Sequence, residues 1–198
     1  MASIISAGTS AGTAIAISGD TTGNLAFQTQ AGANTITVPN ATGNVMVSGN
    51  MPIFRAIANA TQTVSINSTT KATCFGTVQW DTASCWSVAN NRYTPNVAGY
   101  YQITAAMQWG TGWAIGSDIV YIYIVKNGTY SSSSTATMTS DKYVATQYPS
   151  SSVGGLMYCN GTTDYIEVYL EAGGASGTRT TYVDNRYDYF SIAMIRTA

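Results

Sequence analysis

The sequence contains no histidine and little charge: 8 Lys+Arg and 9 Asp+Glu in 198 residues. Without histidine the commonest general base and metal ligand is missing, which argues against most hydrolase, nuclease and zinc-enzyme chemistries. A net charge of −1 leaves no basic footprint for neutralising phosphates, so nucleic acid is not an expected partner. The charged fraction, 9%, is far below the usual ~25% and too small for an ordinary monomer surface. The three cysteines, Cys74, Cys85 and Cys159, are too few for a disulfide framework and show no CxxC spacing. They read as small buried hydrophobes, and spacing leaves the pairing of Cys74 with Cys85 open. No apolar run approaches the ~20 residues of a membrane span, so membrane insertion is not expected. The first basic residue is Arg55, so the N-terminus lacks a basic leader region and synthesis in a cytosol is expected.

Carboxylates give no catalytic arrangement. Glu167 and Glu171 on one strand face would stand about 13 Å apart at ~3.3 Å per residue. Glycosidase pairs need ~5–9.5 Å. Asp184 and Asp188 form a second spaced pair, read as solvated. Asp81, Asp118 and Asp141 make no close acidic cluster of the kind calcium requires. No S-x-x-K stands in for a missing histidine base. The chain is therefore expected to be no enzyme, with no catalytic residues, no metal and no cofactor. Five N-x-S/T sequons, at Asn40, Asn59, Asn67, Asn127 and Asn160, read as accidents of a chain rich in Asn, Ser and Thr.

What replaces charge is hydroxyl and aromatic. Ser and Thr total 49, and there are 14 Tyr. The distribution is uneven. Residues 1–54 hold one charged residue, Asp20, and all Tyr and Trp lie beyond residue 79. Two objects are expected, residues 1–50 and residues 53–198.

The first contains a repeat. TTGNLAF (21–27) returns as ATGNVMV (41–47), and Ile15 and Ile17 are echoed by Ile36 and Val38. Apolar residues alternating with small polar ones mark half-buried strands, and Gly23-Asn24 and Gly43-Asn44 suit turns of positive φ. Strands this short bury too little alone. A disordered linker is the alternative; the regular Ile, Leu, Val and Phe favour an intertwined, multi-chain β shaft.

The second object reads as strands throughout: 62–66, 72–80, 99–109, 118–126, 164–172 and 189–195, with Asn127-Gly128 and Asn160-Gly161 as hairpin turns. This predicts an all-β sandwich or barrel. Ile166, Val168 and Leu170 point to a core. Residues 118–126 are apolar or aromatic on both faces, which demands a second cover, read as a subunit contact. Trp109 and Trp113 flank glycines in a predicted loop, and residues 131–152 read as a long hydroxyl-rich loop.

Residues 90–103, NNRYTPNVAGYYQI, carry an aromatic-x-Pro…Gly-x-Tyr unit. With its lead-in Phe54 and Ala56, the hairpin 122–128, the pair 158–171 and the closing strand 187–195, it resembles the complement globular-head and tumour-necrosis-factor-like jelly rolls over residues 53–196. Tyr93, Pro95, Gly99 and Tyr101 match the motif; the usual Gly-Asp is replaced by Gly161-Thr162-Thr163-Asp164. The repeat resembles segments of bacteriophage tail fibres and head appendages. The resemblance implies a ten-strand jelly-roll sandwich, trimeric, behind a short intertwined β-repeat shaft. It implies adhesion or binding and no catalysis. The expected function is a non-enzymatic trimeric structural protein of a bacteriophage virion: a short head fibre or capsid decoration that also adheres to host glycans. A tail-fibre receptor-binding tip and a free carbohydrate-binding lectin-like module are the alternatives. The expected location is the exterior of the virion, after synthesis in the host cytoplasm. Residues 1–50 are expected to attach to a capsid or tail protein. Trp109, Trp113, Tyr130 and Tyr148 are the candidate glycan contacts. Tyr101, Tyr121, Tyr123, Tyr169 and Tyr189 are the candidate trimer contacts.

Overall fold

The structure, a computed structural model, describes residues 25–28, 35–38, 51–128, 137–143, 148–184 and 186–198. The chain divides into two units, Met1–Val45 and Met46–Ala198. In the first, β1 (Leu25–Gln28) pairs antiparallel with β2 (Thr35–Val38), placing Leu25 opposite Val38 and Phe27 opposite Ile36. The Gly23-Asn24 and Gly43-Asn44 turns and the remaining repeat lie outside the described residues.

The second unit is all-β among the described residues. Its strands are β3 (Ile53–Ile57), β4 (Thr63–Ser65), β5 (Thr70–Lys71), β6 (Thr77–Asp81), β7 (Trp86–Ser87), β8 (Arg92–Tyr93), β9 (Ala98–Gln108), β10 (Ile119–Lys126), β11 (Thr137–Tyr143), β12 (Ser150–Asn160), β13 (Ile166–Gly173), β14 (Thr178–Thr180) and β15 (Tyr189–Thr197). One sheet runs β12-β9-β15-β3-β6. The other runs β11-β10-β13-β8-β7 with β5 beside β13, and β14 pairs with β4. Every strand pair is antiparallel.

Alternation builds the core between the two main sheets. From β13, Ile166, Val168 and Leu170 are buried; from β10, Val120, Ile122 and Ile124; from β9, Tyr101, Ile103 and Ala105. Phe54 anchors one end, its ring 5.0 Å from Trp86, 5.2 Å from Tyr93 and 5.5 Å from Phe190. Such contacts add to the apolar burial itself. The three cysteines are unbridged and buried. Burial raises their thiols, Cys74 to about 12 and Cys159 to about 11, so they stay protonated and unreactive at neutral pH.

The four motif residues work together at the start of β9. Tyr93, Pro95, Gly99 and Tyr101 are all buried. The Tyr101 hydroxyl donates to the Val97 carbonyl at 2.6 Å, closing the bend that leads into the strand. A Cβ on Gly99 would stand 2.3 Å from the Arg196 carbonyl oxygen, so the approach of β15 to β9 requires glycine there.

Both Asn-Gly pairs form turns, but neither closes a two-residue hairpin. Asn127 and Gly128, with φ of 60° and 66°, end β10, whose partner β11 begins only at Thr137, and Asn160-Gly161 leads from β12 to β13 in the other sheet. Asn160 accepts backbone N–H groups from Thr162, Thr163 and Asp164 through its Oδ1. Asp164 then joins the two turns: it accepts from Asn127 Nδ2 at 2.8 Å and pairs with Lys126 Nζ at 2.8 Å.

Three expectations change. Residues 72–76 carry no strand, which begins at Thr77. The expected loop 131–152 contains β11, paired with β10, and the beginning of β12. The second cover of β10 is supplied in part by the single chain: Tyr123 and Val125 are buried, while Ile119 and Tyr121 on the same face are half-buried.

Candidate binding surfaces

The two sheets turn different outer faces to solvent. On the six-stranded sheet, polar groups bond one another. Lys71 Nζ pairs with Glu167, whose Oε2 accepts from the Tyr169 hydroxyl at 3.1 Å. Glu171 accepts from Thr69 at 2.6 Å and from Tyr123 at 3.0 Å. Three predicted trimer contacts, Tyr121, Tyr123 and Tyr169, belong to this face. Tyr121 and Tyr169 are half-buried. Tyr123 is 5% exposed and Tyr101 is fully buried. The structure thus corrects Tyr101 and Tyr123: both are core or covered groups, with no surface for a partner. Tyr189 is half-buried on the other sheet, its ring 4.5 Å beneath the Arg55 guanidinium.

The outer face of the five-stranded sheet carries no carboxylate among its described residues. Strand register lays it out in rows. Tyr158 lies opposite Tyr100, their ring centroids 5.4 Å apart, with Arg196 next. The following row is Leu156, Gln102, Ala193 and Ile53. Then come Gly154, Thr104, Ser191, Arg55 and Trp80, and finally Ser152, Ala106 and Tyr189. Leu156 is 59% exposed, Tyr100 47%, Tyr158 41% and Ile53 41%. These exposed apolar side chains form a patch, with Arg196 and Arg55 in its rows, and such a patch is a candidate interaction surface.

Sequence reasoning missed Tyr100, Leu156 and Tyr158. Tyr100 and Tyr101 are neighbours, so on a strand one must face in and the other out; Tyr101 shares its parity with the buried Ile103 and Ala105, and its hydroxyl bonds locally to the Val97 carbonyl. Gly154-Gly155 hid the alternation of β12. A Cβ on Gly154 would meet Thr104 Cγ2 at 2.9 Å, so close pairing with β9 excludes a side chain.

The predicted glycan contacts fare unevenly. Trp109 is fully buried and Trp113 is 5% exposed, which corrects their reading as exposed contacts. Their rings meet edge-on at 5.6 Å, Trp113 Nε1 donates to the Gly110 carbonyl, and Arg179 covers Trp113 at 5.0 Å. Arg179 is held by Asp118 at 2.9 Å, and Asp118 lies below the ordinary carboxylate range because it accepts the Ala114 N–H and the guanidinium. These tryptophans lock the 110–118 loop to the core. Tyr130 lies outside the described residues. Tyr148 is 49% exposed and meets the 45% exposed Tyr182 edge-on at 5.4 Å.

Near Tyr182, Asp188 is fully buried and accepts the backbone N–H groups of Gln108 and Asp184. Burial pushes its carboxyl up to about 6. Asp184 is held down to about 2 by Arg186, which binds it through Nε at 2.9 Å and Nη2 at 2.6 Å. No group of three metal-ligating side chains occurs among the described residues.

No protein-family model matches the chain, and no curated protein matches it. Solved structures do. Murine APRIL at pH 5.0 aligns with a TM-score of 0.53 at 7% identity, over 73% of this chain and 99% of that one. Murine APRIL at pH 8.0 aligns with a TM-score of 0.50, also at 7% identity, over 73% of this chain and 99% of that one. Eiger TNF from S. frugiperda aligns with a TM-score of 0.48 at 10% identity, over 75% and 93% of the two chains. Identity this low shows the fold alone: the chain contains a tumour-necrosis-factor-like jelly roll.

Proposed function

We propose that the chain is a non-enzymatic, trimeric structural protein of a bacteriophage virion, a short head fibre or capsid decoration that also adheres to host glycans. Residues 1–50 attach it to a capsid or tail protein and form the shaft; the jelly roll is the knob. One observation carries the reading. A charge-poor Gly-Asn repeat precedes a jelly roll whose five-stranded sheet turns outward a face that lacks carboxylates among its described residues and is apolar at Leu156, Tyr100, Tyr158 and Ile53. Three copies meeting through that face bury Leu156, Tyr100 and Tyr158 around one axis and bring three N-termini together, as an intertwined shaft needs. The interface is thereby assigned to the sheet opposite the one that carries Tyr121 and Tyr169.

The test is location. Purified particles are imaged with the intact chain and with a chain beginning near Asn50. The expected result is density at three-fold sites of the shell for the intact chain, and a truncated chain that folds as β but is missing from particles. Density on the tail supports the receptor-binding tip instead. Absence of the intact chain from particles supports a free lectin and overturns the proposal, as does normal incorporation of the truncated chain.

A further inference from the structure

Where β12 begins there is a cleft of about 260 Å³, lined chiefly by Ser150, Ser151, Ser152, Arg186, Tyr187 and Tyr189. It occupies the hydroxyl end of the five-stranded face. Six residues of β12 separate it from Tyr158, roughly 20 Å at strand spacing. The apolar end and the cleft are thus separate regions of one face. The volume is slightly below the ~300–1,000 Å³ of sites for drug-sized ligands, which suits a single ring.

Four observations define what fits. Ser150 and Ser152 share the outward side of β12, opposite Gln108 and Ala106, so their hydroxyls belong to the cleft, whereas Ser151 between them turns inward opposite Met107. Arg186 is bound side-on by Asp184 through Nε and Nη2, which cancels its charge and leaves Nη1 outside that pair. Tyr187 is 44% exposed, with the Arg186 guanidinium 5.3 Å from its ring centre. Tyr182 is close enough to Arg186 to act on it electrostatically, and its ring meets that of Tyr148. The result is a cleft with hydroxyls, one guanidinium held by a carboxylate and exposed aromatic rings, with Arg55 beside it over the Tyr189 ring.

We propose that this cleft binds one neutral pyranose unit of a surface glycan. An aromatic face, Tyr187 foremost, covers the C–H side of the sugar; the serine hydroxyls and Arg186 Nη1 take its hydroxyls. Each site is weak, and three on one particle protein gain by engaging together. The inference rests on the adhesive part of the proposed function and gives it a site in place of Trp109 and Trp113.

Saturation-transfer NMR on the full chain tests it. The neutral probes are methyl glycosides of glucose, galactose, mannose and N-acetylglucosamine, and the acidic probe is methyl glucuronide. At least one neutral glycoside is expected to bind in about the millimolar range. That binding is expected to be unchanged between about 50 mM and about 500 mM salt. Tyr187→Ala removes the stacking ring, and Ser152→Leu fills the cleft while leaving Arg186 in place. Each is expected to weaken binding about tenfold, the size of one lost aromatic contact. Oligomer mass and particle incorporation are expected to be unchanged in both. The proposal is overturned if no neutral glycoside binds, if both variants bind as well as the parent, or if glucuronide alone binds and is released by salt. Incorporation scored on the same variants separates the two readings: lost binding sites with normal incorporation concern the cleft, whereas failed incorporation of the intact parent concerns the virion role.

Discussion

Leu156→Asp is the perturbation that decides which sheet face joins the copies. Leu156 is 59% exposed in the single chain, so the fold itself gains little from it and the substitution leaves a folded knob. Full burial of a leucine side chain is worth ~1.5–3 kcal/mol, so covering the exposed remainder contributes roughly 1–2 kcal/mol per copy. Three copies lose roughly 3–6 kcal/mol across the assembly. At about 1.4 kcal/mol per decade, assembly weakens by two to four orders of magnitude, roughly. Sedimentation velocity over a dilution series reads this directly. The parent is expected at three times the 20.8 kDa chain mass, with Leu156→Asp shifting to monomer at micromolar concentration and keeping its β-sheet circular dichroism. Tyr121→Ser, on the opposite sheet, is the contrast and is expected to remain assembled. A trimeric Leu156→Asp alongside a dissociated Tyr121→Ser would refute the assignment, and a monomeric parent would remove it altogether.

Two further outcomes are expected. Asp188 titrates at about 6 in the fold against an ordinary value of 3.8, so the folded state binds its proton more tightly. Thermal stability is therefore expected to rise as pH falls from 7 toward 4, by up to about 3 kcal/mol from this group. Below that range it falls again, because the lowered carboxyls Asp118 and Asp164 begin to lose their charge. Asp188→Asn is expected to flatten the rise and, by offering one acceptor where two N–H groups point, to cost about 1–3 kcal/mol at neutral pH. A melting profile in which parent and variant keep the same slope from pH 4 to 6 contradicts the burial argument. Trp109→Ala is expected to destabilise the knob by about 3–5 kcal/mol in denaturant titration; a variant as stable as the parent would show the ring to be a surface group after all.

The aromatic-x-Pro…Gly-x-Tyr unit and the alternation of residues 164–172 were enough to place an all-β jelly roll in residues 53–198. Both are local signals: a bend that Tyr101 closes onto Val97 four residues earlier, and a strand with one dry face. The absent histidine and the scarce charge, likewise, already argued against most enzymatic chemistries. Accessibility is different, because it depends on what the rest of the chain places over a side chain. Trp109 beside glycines reads as exposed, yet the Thr181 segment and the core cover it, and its neighbour Trp113 is capped by Arg179 from sixty-six residues away. Tyr100 and Tyr101 are chemically identical neighbours with opposite fates, separated only by strand parity. The serine run at 150–152 looks like solvated loop; as the opening of β12 it lines a cleft closed by residues more than thirty positions later. Composition and period determine which elements form, because they act through neighbours in the chain. Which faces remain open is decided by contacts between distant segments, and those exist only once the sheets have packed.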